Sequence, residues 1–172
     1  MGNVEDREKN LPDDGHKEWD WPSKYKNGAW VHIIIQFSYL CLLLLLAFVF
    51  LYLAFSGRLY LWYKKMSVNV VPEDVFRRGA YCIISGFLGG VVFGIKILYK
   101  AVASGRWHLD RVLWRIATPW VSLALSIVIS SIMAEDVFSK SSFVAVSIGF
   151  FAGYFSESAI GKLYEIANLL FK

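Results

Sequence analysis

The sequence predicts an all-α polytopic membrane protein: four transmembrane helices followed by a C-terminal amphipathic helix. Three observations carry this prediction. Of the 172 residues, 56% are hydrophobic and only 19% charged, with a mean hydropathy of +0.46; soluble domains carry about 25% charged residues. The charges are also segregated, with seven acids and five bases in the first thirty residues and none in long later stretches. Finally, the apolar runs approach or exceed the about 20 residues that a span requires.

Residues 1–30 read as a polar tail. Its "WDWPSKYKNGAW" segment sets Trp19, Trp21, Tyr25 and Trp30 around Pro22. This is too little for a core but aromatic enough to meet the bilayer surface or another subunit. The first apolar run begins at Val31, behind acidic residues, too late and too long for a cleaved signal peptide. Gly2 lacks the Ser or Thr at position 6 that myristoylation requires.

Residues 31–157 form the predicted transmembrane domain. Val31–Phe55 is the longest apolar run and leads into "RLYLWYKKM", where Tyr60, Trp62 and Tyr63 ahead of Lys64 and Lys65 suggest an interfacial belt. Pro72, Glu73 and Asp74 signal a helix start. That helix carries Arg77 and Arg78 and then spans about 79–98, with Lys96 and Lys100 at its far end. The third span covers about 116–133, with Pro119 near its entry, where a missing amide costs little. The fourth, about 142–157, is the shortest, and a re-entrant or tilted segment is its rival reading. In residues 158–172, Ile160, Leu163, Ile166 and Leu170 recur at helical spacing, as in an amphipathic helix lying on the bilayer or docking onto a partner.

The amino tail, the 99–115 connection with Lys96 and the carboxyl tail hold about twice the Lys and Arg of the opposite side. Both termini are therefore expected in the cytoplasm, and the chain in a membrane, the bacterial inner membrane in particular.

Small residues recur four apart on three consecutive spans: Gly86, Gly90 and Gly94; Ser122, Ser126 and Ser130; Ala145, Gly149 and Gly153. Lipid tails are as apolar as leucine, so spanning helices associate through close backbone approach and hydrogen bonds rather than hydrophobicity. These stripes predict a tight interior of spans two to four, with the first span peripheral, and they make a homo-oligomer a fair expectation. Cys41 and Cys82 lie in apolar runs and read as packing residues.

The densest polar stretch is "SGRWHLDRVLWR". Its Arg106, Trp107, Asp110, Arg111, Trp114 and Arg115 combine guanidinium forks with aromatic faces. Such a surface suits a phosphate, a nucleotide or an acidic partner; an interfacial helix, with tryptophans at the headgroups and arginines toward anionic lipid, is the plainer alternative. Glu157 continues the step of Ala145, Gly149 and Gly153, which makes it a candidate gate, or else a solvated residue at the membrane surface. His16, His32 and His108 lack ligand spacing, so no metal site and no cofactor are expected. No nucleophile–base pair, phosphate-binding loop or nucleic-acid fold is visible, so neither an enzyme nor a direct nucleic-acid binder is expected.

Two stretches, "GRWHLDRVLWRIATP" and "GFFAGYFSESAIGKLYEIANLLF", resemble segments of small multi-spanning bacterial membrane proteins of anti-phage defence systems, such as the Kiwa-type membrane subunit. The resemblance covers about the last seventy residues and includes no catalytic motif. It implies a membrane sensor or effector that works with a cytosolic partner against phage. A homo-oligomeric protein of that kind is the first reading, with the bilayer, itself and a cytosolic protein as partners. A small ion channel or pore and a non-transporting scaffold are the alternatives.

Overall fold

The computed structural model describes Tyr25 and residues 27–67, 71–132 and 141–170. Every regular element among them is helical: α1 (Asn27–Phe55), α2 (Arg58–Met66), α3 (Glu73–Ala103), α4 (Val112–Ile132), α5 (Ser142–Tyr154) and α6 (Ser156–Leu170), with a 3-10 turn over Leu109–Arg111. His16, Trp19, Trp21 and Met133 lie outside the described residues, as do the side chains of Asp110, Leu163, Ile166 and Leu170.

Helices α1, α3 and α4 are long and apolar enough to cross a membrane. α3 is the axis of the bundle. It runs antiparallel to α1 and α4 and parallel to α5, as shown by Tyr81 beside Ala54, Gly90 beside Ser122, and Cys82 and Gly86 beside Gly149 and Gly153. Pro72 supplies the N-cap and Glu73 and Asp74 the first turn, so the acids lie at the positive end of the helix dipole. With 31 residues, α3 is about 45 Å long, against a hydrocarbon thickness of about 30 Å. It is therefore long enough for both charged ends to clear such a layer.

α1 buries one stripe on α3, comprising Ile33, Gln36, Leu40, Leu43, Ala47 and Ala54. It exposes Ile34, Ile35, Phe37, Leu42 and Leu45 on its other faces. A helix apolar all round but buried along a single stripe is suited to lipid on the remaining faces. At its far end Gly57 (φ 74°) joins α1 to α2. Tyr63 of α2 then stacks on Phe76 of α3 at 4.5 Å, and Phe55 on Tyr81 at 4.6 Å. Arg77 fastens this end through the Tyr81 hydroxyl (3.0 Å), the Phe55 carbonyl (3.3 Å) and Glu73 (3.5 Å). The stretch read from sequence as a belt is thus a helix clasped onto α3.

The interior is made by small residues. A Cβ on Gly86 would collide with the Ser126 side chain, and one on Gly90 with Ser122. One on Gly149 would meet the Cys82 carbonyl, and one on Gly153 the Gly86 carbonyl. Gly89, outside the predicted stripe, is equally tight against the Phe150 carbonyl. Ser130 stands 3.5 Å from where a Gly79 Cβ would lie, Ala145 is fully buried beside Cys82, and Gly94 faces Leu40 of α1 rather than α4 or α5. All three stripes are therefore occupied within one chain, and they no longer argue for contact between copies.

Two boundaries differ from the sequence expectation. α4 begins at Val112, not near 116, so Pro119 lies two turns inside the helix, where its amide would otherwise have bonded the Arg115 carbonyl. It is fully buried, with its Cα 3.3 Å from the position of a Gly90 Cβ. The fourth apolar segment ends at Tyr154, not Glu157. At about 1.5 Å per residue its 13 residues reach about 20 Å. α5 and α6 qualify as one span only as a pair bent by 68°. The break has a polar cause. Buried Ser156 turns inward and its hydroxyl lies 2.7 Å from that of Ser122, which also reaches the Gly153 carbonyl at 3.0 Å.

Candidate functional site

The α3–α4 corner gathers Lys100, Arg106, Arg111 and Arg115 around a cavity. α3 ends in a Schellman turn: Gly105 takes φ 68°, its amide bonds the Val102 carbonyl (3.1 Å), and the Arg106 amide bonds that of Ala101 (3.0 Å). Only glycine takes this left-handed conformation readily, and it carries Arg106 back over the end of α3. The 3-10 turn then brings Arg111 to the start of α4, with Trp114 and Arg115 one turn further along. Together with Lys100 and Ser104, these residues line a cavity of about 250 Å³, walled by Ile97 and Ala101. Pockets for drug-sized molecules run from about 300 to 1,000 Å³, so this one is matched to a small group.

Helix dipoles explain only half of this charge. Lys100 and Arg106 lie at the carboxyl end of α3, where cations are favoured. Arg111 and Arg115 flank the first turn of α4, where they are disfavoured, and that turn holds no acid to offset them. Arg115 is 4% exposed and its Nη1 has no hydrogen-bond partner among the described residues. A guanidinium cannot relieve such burial by losing its proton. Arg106, Arg111 and Trp114 are exposed. The corner thus combines exposed surface cations with one buried cation whose Nη1 has no hydrogen-bond partner among the described residues.

Of the residues singled out by sequence, Arg106, Arg111, Trp114 and Arg115 meet here, whereas the Asp110 side chain lies outside the description. Trp107 does not join them. It is buried against Ile33, Leu40 and Leu98, its Nε1 donates to Gln36 Oε1 (3.3 Å), and its amide donates to the Tyr25 hydroxyl (3.3 Å). Tyr25 in turn donates to the Val102 carbonyl (3.2 Å). Trp107 is therefore the pin that fastens the corner to α1. Replacing it with Phe removes the Gln36 bond while keeping most of the ring. The expected loss is about 1–2 kcal/mol in detergent unfolding, and unchanged stability would reduce Trp107 to a space filler.

Glu157 is displaced from its expected place. The break at Phe155 takes it off the Ala145–Gly149–Gly153 stripe, Ser156 occupies the buried position, and Glu157 is exposed. Lys162 pairs with Glu165 (2.8 Å). Sequence reasoning used Lys100 only to mark a helix end and gave Ser104 and Ser156 no role. For Lys100 a signal existed: it lies one turn before the glycine turn that folds Arg106 back beside it. Among the described residues no three His, Cys, Asp or Glu gather to hold a metal.

Compared with models of known protein families, with curated proteins and with solved structures, the chain shows no match.

Proposed function

We propose that this chain is the membrane-embedded component of a sensor–effector pair, neither enzyme nor transporter, which receives an acidic ligand or cytosolic partner at the α3–α4 corner. The observation that carries this reading is the convergence of Lys100, Arg106, Arg111 and Arg115 on one cavity at the end of the bundle. In this reading the corner and both termini face the cytoplasm, following the lysine and arginine bias. Phage defence, implied by the resemblance of two stretches to Kiwa-type proteins, is the proposed setting. A pore is the weaker reading: with Gly86, Gly90, Gly149 and Gly153 packed to contact, a conduit would have to form between copies.

Photo-crosslinking in living cells tests the proposal. A photoreactive residue in place of Arg106 or Trp114 should yield adducts with a soluble protein, and these should fall several-fold when Arg111 is changed to Glu. Adducts with neither a soluble protein nor an acidic lipid, or labelling of Arg106→Cys by an impermeant maleimide from the external face, would contradict it.

A further inference from the structure

The corner cavity carries a more specific reading, which rests on the proposal above that it is a receiving site. We propose that it binds a phosphomonoester dianion, with Arg115 as its fixed base and Lys100, Arg106 and Arg111 closing over the outer oxygens. Size, charge and the state of Arg115 point the same way. The cavity of about 250 Å³ has three arginines and a lysine, and no acid, among the described residues that line it. A single carboxylate would leave most of that charge uncompensated. A tetrahedral dianion offers three outer oxygens, and guanidinium forks bind such oxygens two at a time.

Arg115 supplies the independent observation. Ordinary structural arginines, when buried, are paired; a buried cation without a partner is destabilising. Arg115, only 4% exposed, lines this cavity, and its Nη1 has no hydrogen-bond partner among the described residues. The arrangement is complete only when an anion enters. Amides at the start of α4 would add a favourable dipole to the bound dianion. Ser104 contributes a hydroxyl at the cavity wall.

The same chemistry has two sources: a lipid headgroup reached sideways from the membrane, such as phosphatidate, or a soluble phosphate from the aqueous side. Thermal unfolding of the full chain separates them. One arm titrates inorganic phosphate against chloride at constant ionic strength. The other compares nanodiscs of phosphatidylcholine with discs containing phosphatidate. The expected result is a rise in Tm of several degrees in one arm, showing which source is used. Arg115→Met keeps the apolar stem and removes the orphan charge, so it should start at or above the wild-type Tm and lose the rise. Should that variant not fold, Arg111→Gln, at an exposed position, carries the same test and should weaken phosphate binding about tenfold.

No rise in either arm would overturn the proposal, as would a rise that survives these substitutions. Soluble-protein adducts that persist at Arg106 without any phosphate effect would sink this inference and leave the partner reading standing. A phosphate effect without such adducts would do the reverse.

Discussion

Gly153→Leu is expected to prevent accumulation of folded protein, and Gly153→Ala to lower its stability severely. A Cβ at this position would meet the Gly86 carbonyl oxygen, lie 2.6 Å from the carbonyl carbon and 2.9 Å from the Cα. These are backbone atoms, so no side chain can swing aside and the whole α3–α5 contact must open. Overpacking a core costs about 1–3 kcal/mol and occasionally more, and here the displaced group is the central helix itself. Gly161→Ala is the matched control: nothing lies within 4 Å of its Cβ position. Alanine there should be neutral or stabilising by up to about 1 kcal/mol, because it favours helix over glycine. Thermal unfolding in detergent distinguishes the two. Equal effects at positions 153 and 161 would show that α5 does not pack on α3 as described.

Ser122→Ala is expected to release α6. The Ser122 hydroxyl lies 2.7 Å from Ser156 Oγ, 3.0 Å from the Gly153 carbonyl and 3.1 Å from the Thr118 carbonyl. It therefore connects α4 to the point where the fourth apolar segment bends. An interhelical hydrogen bond in a membrane contributes only about 0.6 kcal/mol on average. Alanine, however, leaves the buried Ser156 hydroxyl and the Gly153 carbonyl without this partner, raising the expected loss to about 1–3 kcal/mol. The loss should be local. Amide hydrogen exchange should accelerate across α6 and the end of α5 while α3 stays protected. Unchanged exchange in α6 would mean that the bend is held by something other than this serine pair.

The physical signals in the sequence differ in kind, and so did their legibility. The start of α3 could be read, because Pro72, Glu73 and Asp74 mark it by local backbone chemistry, whereas its end, placed by Lys96 and Lys100, lies further on at Ala103. The small residues at 86, 90, 122, 126, 149 and 153 could be read as a contact surface, because periodicity fixes which face they share. Their partners could not: spacing on one helix does not say whether the opposing backbone belongs to the same chain, and only the fold shows Gly153 against Gly86. The bend at Phe155 was hidden for a related reason. It depends on Ser156 meeting Ser122, residues 34 apart in sequence, and no local breaker announces it.

At the corner, four of the six residues picked out for their charge and aromatic character line one cavity. Trp107 belongs instead to the core, because an indole is equally at home stacked on a ligand or pinned between helices, and composition does not separate the two. The orphan state of Arg115 was not visible at all. Burial is a property of the packed neighbours α1, α3 and α4, not of the arginine.

The central claim, that small residues close this bundle within a single chain, has a direct test. Gly79 and Ser130 face each other with 3.5 Å between a Gly79 Cβ and the serine Oγ, and both can carry cysteine without a clash. In a chain with Cys41 and Cys82 replaced by alanine, Gly79→Cys and Ser130→Cys should oxidise in native membranes to an intramolecular disulfide, at monomer mass and reversible by reductant. Disulfide-linked dimers in place of that monomeric product would contradict the account.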